Sequence, residues 1–125
     1  MLKQGSNWSL EYDDSVLIAR FEEGIDYDAF GDEALPAFRE ILNTHGTEIV
    51  ASANLVTVAD HLDEQVYDTW EAAADEYAQL PNYERGAFVA EGIKKFSLKS
   101  SLDVPGATNK TFDDFDRAIE WARHG

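Results

Sequence analysis

The feature that most constrains the fold is an almost continuous apolar run from Glu48 to Val56. Such a run is typical of a parallel strand that helices cover on both faces, because neither row of alternating side chains then meets water. Segments with helical periodicity precede and follow it. We therefore predict that this run is the central strand of an α/β sheet.

A hairpin is predicted near the start of the chain. Trp8, Leu10 and Tyr12 alternate with polar residues, residues 13–15 supply turn chemistry, and residues 16–21 are rich in β-forming types. This pattern predicts two antiparallel strands ahead of the first helix.

The first helix is predicted from Asp26, as its N-cap, to Gly46. Pro36 lies inside this segment, where it should kink the helix or begin its better-formed second half, because proline lacks a backbone donor. The residues that share the apolar face are Phe30, Ala34, Phe38, Ile41, Leu42 and His45.

The chain after the central strand alternates helices and strands. A second helix, capped by Asp60 or Asp63, ends at Pro81. The remaining elements are a strand at residues 86–90, a short basic helix at 93–102, a weak edge strand at 107–112 and a last helix capped by Asp113.

These elements follow the order β-β-α-β-α-β-α-β-α. We predict one α/β domain over residues 1–125. Its sheet is expected to be mixed, mostly parallel and five-stranded, with an N-terminal hairpin and about four helices.

The composition excludes several classes of protein. The chain has no cysteine, which excludes disulfides and thiol catalysis. It has no apolar stretch of the roughly 20 residues that span a membrane, and residues 1–8 lack the apolar run of a secretion signal. We therefore expect a cytoplasmic protein with no transmembrane segment.

The chain is strongly acidic. Twenty-five acidic and ten basic residues give a net charge of -15. Molar salt screens the self-repulsion of such a chain. This balance favours a halophilic protein, and the alternative is an ordinary acidic protein with a well-solvated surface.

Positive charge is concentrated in one part of the chain. Residues 1–84 contain 3 basic and 19 acidic residues, whereas residues 85–110 contain 5 basic and 2 acidic residues. In the second range, apolar residues are interleaved with Lys94, Lys95 and Lys99, as in a basic amphipathic helix.

Three interpretations of this cationic segment are open. In the first interpretation, its lysines extend into water while its apolar residues pack on the sheet. Alternatively, Arg85, Lys94, Lys95 and Lys99 bind an anionic headgroup, a phosphate or an acidic ligand. In the third interpretation the segment binds a partner protein. Nucleic acid is not expected as a partner, because a strongly negative protein repels the phosphate backbone.

Aromatic residues indicate a second candidate site. We predict that Tyr67, Trp70 and Tyr77 of the second helix line a cavity beneath the basic helix, near Phe88 and Phe96. The alternative is that an aromatic stripe at helical spacing is core.

The sequence contains no recognisable catalytic or metal-binding motif. His45, His61 and His124 lie far apart, and no histidine pair has metal-ligand spacing. The glycines form neither a dinucleotide fingerprint nor a phosphate loop, so we expect no metal and no cofactor. His61 lies between Asp60 and Asp63, and a small hydrolase or isomerase built on carboxylates and His61 is the alternative function.

Three parts of the pattern carry a family resemblance. They are the opening hairpin, the sequence Ala-Leu-Pro-Ala-Phe at residues 34–38, and Phe-Asp-Asp at residues 112–114 followed by Ala-Ile-Glu-Trp at residues 118–121. Together they resemble the SpoIIAA-like proteins of the STAS superfamily, which are related in fold to the CRAL-TRIO lipid-transfer domains. The resemblance implies a non-enzymatic module and an analogy to lipid carriers.

The resemblance also implies a regulatory serine, in an Asp-Ser-Ser or Asp-Ser-Ala setting, where the central strand meets the second helix. Residues 54–60 read Asn-Leu-Val-Thr-Val-Ala-Asp, so this motif is absent. Thr57 carries the nearest hydroxyl, either as a phosphorylation site or as an ordinary group that bonds the local backbone.

The function expected from the sequence is therefore that of a STAS-like regulatory module without enzymatic activity. It would bind a partner protein, or a small anionic or lipid-like ligand, near residues 85–102.

Overall fold

The protein has a three-layer α/β architecture. The computed structural model describes residues 2–5, 7–21, 27–56, 64–90 and 104–125. These residues form a six-stranded mixed sheet with helices on both faces. The α/β class predicted from the sequence is confirmed.

The elements follow one another across the sheet in chain order. The first three strands pair antiparallel, and the third to sixth strands pair parallel. The strands are β1 (Leu2–Gly5), β2 (Trp8–Asp13), β3 (Val16–Phe21), β4 (Ala51–Val56), β5 (Arg85–Ala90) and β6 (Thr108–Phe112). The described helices are α1 (Tyr27–His45), α2 (Glu64–Ala78) and α3 (Phe115–His124).

The prediction of five strands and four helices is wrong in one respect. A sixth strand, β1, precedes the predicted hairpin and pairs with β2 from Leu2 opposite Glu11 to Gly5 opposite Trp8. The four residues of β1 show no apolar alternation that would predict a strand. The strand is stabilised by backbone pairing with β2, and a local sequence pattern does not show such pairing. Three helices lie in the described ranges, and the predicted helix at residues 93–102 falls outside them.

The predicted hairpin is confirmed, and its turn has two residues. Asp14 and Ser15 both have positive φ, at 48° and 69°, between the paired residues Asp13 and Val16. Positive φ at both central residues matches the right-handed twist of the flanking strands. The turn therefore fixes the register of β2 against β3.

The predicted central strand is also confirmed. β4 lies between β3 and β5, and helices cover both of its faces. Ala51 and Ala53 pack against α3, whereas Ser52 and Asn54 face the layer of α1 and α2. Two buried faces explain why the run around β4 lacks the alternation of an exposed strand.

α1 lies within its predicted bounds, whereas the N-cap of α3 differs from the prediction by one residue. α1 continues through Pro36 as a single helix, with the proline on its exposed side. Asp114 rather than Asp113 is the N-cap of α3, and its Oδ1 accepts a hydrogen bond of 2.9 Å from the backbone nitrogen of Asp116. Either aspartate fits the capping preference, so only the backbone geometry separates them.

Candidate functional site

A cavity lies between the sheet and the α1–α2 layer, and we refer to it as the helix–sheet cavity. Its volume is about 50 Å³, and it is partly open to the surface. Three strands and two helices contribute to its wall. The lining residues are Leu10, Ala19, Phe21, Ala34, Leu35, Phe38, Asn54, Trp70, Ala73, Ala74 and Tyr77.

Alanines on the two helices account for the space. Ala34 of α1 and Ala74 of α2 are buried, and Ala73 is half-buried beside them. Each presents only a methyl group toward the sheet, where a larger side chain would have filled the gap. The rings of Phe21 and Trp70, whose centroids are 5.7 Å apart, form the neighbouring part of the cavity wall.

The polar groups on this wall are few and uncharged. Asn54 projects from β4, and its Nδ2 donates a hydrogen bond of 3.3 Å to the carbonyl oxygen of Ala87 on β5. Trp70 and Tyr77 add an indole and a phenol, and none of the lining residues is acidic or basic. Such a wall suits an apolar ligand with one hydrogen-bonding group and does not suit an ion.

A buried polar cluster lies behind the cavity. The hydroxyl of Ser52 forms a hydrogen bond of 2.8 Å with Tyr83 Oη, and the rings of Tyr83 and Tyr77 stack with centroids 4.8 Å apart. Burial raises the pKa of both phenols, and the hydrogen bond with Ser52 offsets part of that rise. Both phenols therefore stay neutral at physiological pH.

The aromatic residues predicted to line a cavity have different positions. Trp70 and Tyr77 lie on the wall of the helix–sheet cavity. Phe88 is buried on the same sheet face and belongs to the same core, but the lining does not include it. The side chain of Tyr67 and the whole of Phe96 fall outside the described residues.

Arg85 lies on the opposite side of the sheet from the cavity. Its Nε and Nη2 donate hydrogen bonds of 3.2 and 2.8 Å to the carbonyl oxygen of Ala122, in the last turn of α3. Its Nη1 also pairs with Glu84 Oε2 at 3.1 Å. Arg85 is thus engaged by α3 and by its neighbour in the chain, and its predicted companions Lys94, Lys95 and Lys99 fall outside the described residues.

Thr57, the candidate regulatory residue, and His61, the residue of the alternative enzymatic function, also fall outside the described ranges. Thr57 follows the last residue of β4, and His61 lies between β4 and α2 in the sequence. His45 is described, and it stacks on Tyr12 with ring centroids 4.0 Å apart while its Nδ1 contacts Glu48 Oε2 at 2.8 Å. No group of three potential metal ligands occurs among the described residues.

Comparisons with known proteins yield no relatives. No family model matches the chain, and no match is found among curated proteins or among solved structures. Among the helices of the described ranges, none has the length and apolar character required to cross a membrane.

Sequence reasoning missed most of the cavity wall. Two signals were available: alanines at positions 34, 73 and 74 fall on the apolar faces of the two predicted helices, and Asn54 interrupts the apolar run of the central strand. Small residues opposite one another leave space, and a lone amide in a buried strand requires a partner. Pairing the two signals required the helix–sheet packing itself.

Proposed function

We propose that this protein is a non-enzymatic, STAS-like module that binds a small lipid-like ligand in the helix–sheet cavity. The observation that carries the proposal is the wall itself, in which apolar side chains surround one half-buried amide, Asn54. A ligand with an aliphatic end and one polar group would bury the first against the alanines and direct the second to the amide.

The position of the cavity supports the proposal through one part of its wall. Phe21 ends β3, and Asn54 lies near the carboxyl end of β4. In parallel sheets, ligands bind outside the carboxyl ends of the strands, where loops rather than regular structure surround the site. The helix–sheet cavity lies under the sheet rather than outside these ends, and Phe21 brings one part of its wall to them.

The volume constrains the kind of ligand. A cavity of about 50 Å³ is near a third of the roughly 150 Å³ apolar cavity that accepts benzene. Only the end of an alkyl chain fits such a space, with the rest of the chain extending through the open side, whereas an aromatic ring would require the helices to move apart. We therefore favour an aliphatic chain that carries a hydroxyl, carbonyl or carboxyl group. The anionic headgroup site predicted near residues 85–102 stays a prediction, since its lysines are outside the described residues.

Titration with 1-octanol tests the proposal. We expect saturable binding to the purified protein, with chemical-shift changes in the indole N–H signal of Trp70 and in the amide signals of Asn54. Ala73→Leu fills the cavity and should weaken binding by about ten-fold or more. Ala72→Leu is the matched control, because Ala72 is the half-buried neighbour of Ala73 on the same helix and does not line the cavity.

The two variants separate the cavity from non-specific binding. Loss of binding in Ala73→Leu together with unchanged binding in Ala72→Leu supports the proposal. Equal affinities in the two variants would place the octanol elsewhere and overturn it. Failure of the unaltered protein to bind would do the same.

The family and the location rest on the sequence pattern. The hairpin, the parallel β3-α1-β4-α2-β5 succession and the final helix are compatible with the STAS-like fold that the resemblance implies. A cytoplasmic, salt-adapted protein is our proposal from the composition.

A further inference from the structure

Among the residues that the structure describes, no strand pairs with the outer edge of β1. β1 is the outermost strand and hydrogen-bonds to β2 on its inner side. In an antiparallel pair, alternate residues of an edge strand direct their N–H and C=O groups outward. β1 therefore presents backbone donors and acceptors along about 13 Å of chain, at the usual rise per residue.

The two faces of β1 differ in chemistry. Lys3 and Gly5 are opposite Leu10 and Trp8, so they lie on the face that α1 covers. Leu2 is on the other face of the sheet, where its side chain is 55% exposed, and it is the one large hydrophobic residue so exposed in the described ranges. A strand added beside β1 would meet a charged surface on one side and an apolar side chain on the other.

A groove runs between β1 and α1 on the charged side. It has a volume of about 790 Å³. Glu33 and Glu40 of α1 stand on its wall, and Lys3 reaches Glu40 with a distance of 2.9 Å between Nζ and Oε2. The two carboxylates outnumber the single amine, in a chain whose net charge is -15. The groove therefore favours basic side chains and opposes a second copy of this acidic chain.

We infer that β1 docks an extended segment of a partner protein in which basic and apolar residues alternate. The segment adds a seventh strand to the sheet, so that its backbone satisfies the outer edge of β1. Because side chains alternate along a strand, its basic residues reach Glu33 and Glu40 while its apolar residues cover Leu2. This inference is independent of the ligand proposed for the helix–sheet cavity.

A synthetic peptide of alternating Lys and Val tests the inference. We expect it to bind the full chain in a titration followed by fluorescence anisotropy. In amide NMR spectra, the shifts should be concentrated at β1. A peptide of the same composition with all Lys before all Val is the matched control, because it carries the same charge without the alternation.

Two double variants test the role of the groove. E33K/E40K should weaken binding of the alternating peptide by about ten-fold. D68K/E120K makes the same change in net charge at exposed positions of α2 and α3, away from the groove. The control variant should weaken binding by less than about two-fold at physiological ionic strength, where distant charges are screened.

Three results would overturn the inference. If the control peptide, with all Lys before all Val, binds as tightly as the alternating peptide, net charge alone explains the binding. Equal losses in the two double variants would lead to the same conclusion. Dimerisation that protects the β1 amides from exchange without any peptide would show that a second copy occupies the edge. Preferential binding of the alternating peptide, lost in E33K/E40K alone, supports it.

Discussion

The guanidinium of Arg85, at the start of β5, holds the carbonyl oxygen of Ala122 through two hydrogen bonds, from Nε at 3.2 Å and from Nη2 at 2.8 Å. The last four carbonyl groups of a helix have no partner within the helix, and they carry its negative dipole end. A cation that donates to one of them satisfies the acceptor and complements the dipole. Arg85 therefore ties α3 to the sheet.

We expect Arg85→Ala to lower the free energy of unfolding by about 1–3 kcal/mol, because the Ala122 carbonyl loses a charged donor. Urea denaturation followed by circular dichroism measures the change. Lys110→Ala is the control, since it also removes one positive charge and lies over the Phe112 ring at 5.2 Å. Lys110→Ala should lower the free energy of unfolding by only about 0.5–1 kcal/mol. Equal losses in the two variants would mean that charge alone matters.

Gly5 is required by the packing of Trp8. A Cβ atom on Gly5 would overlap the Trp8 indole, which is 6% exposed. We expect Gly5→Ala to destabilise the protein by about 1–3 kcal/mol, because the ring or the strand has to move. Thermal unfolding measures this loss. Gln4→Ala, on the exposed neighbour, should change stability by less than about 0.5 kcal/mol. An unchanged stability of Gly5→Ala would contradict the close packing of Gly5 against the Trp8 indole.

The paired phenols predict an alkaline loss of stability. Burial raises the pKa of Tyr77 and Tyr83 in the folded state, so that above about pH 10 the unfolded chain releases protons that the folded chain keeps. Stability is then complete below pH 10 and falls as the pH rises, by up to about 1.4 kcal/mol per pH unit for each phenol. Denaturant titrations across this range measure the slope. Tyr83→Phe should make the slope shallower by about half, and an unchanged slope would contradict this assignment.

The charge balance predicts stability that depends on salt. With a net charge of -15, the melting temperature should rise from dilute buffer to molar potassium chloride, because counterions screen the carboxylates from one another. Differential scanning calorimetry measures the rise. The D68K/E120K variant has fewer carboxylates to screen and should gain less from salt. A melting temperature independent of salt in both proteins would show that the acidity is not a salt adaptation.

Much of the fold follows from local patterns. The hairpin was predictable because alternation and turn residues are local signals, and β4 was predictable because helices on both faces require an apolar run. β1 was not, since its residues Leu-Lys-Gln-Gly gain their stabilisation from pairing with β2. The four-residue strand has almost no core-facing surface that a pattern could register.

The candidate site was less accessible to sequence reasoning than the fold. Trp70 lies on the cavity wall, where the aromatic stripe of the second helix suggested a lining residue. Closeness in sequence groups Arg85 with three lysines, yet its guanidinium donates to a carbonyl of α3 that belongs to a residue 37 positions away. Proximity in sequence does not decide on which face of a sheet a side chain lies, because successive residues of a strand alternate.

The sequence by itself determined the α/β class, the acidic surface and the position of the central strand, because each depends on composition or on a periodicity carried within one segment. Only the tertiary structure decided that Ala34 and Ala74 would leave a cavity, that Arg85 would bond to α3, and that β1 would be the edge strand of the described sheet. Each of these features is a relation between segments distant in the chain, and it exists only once the helices have packed on the sheet.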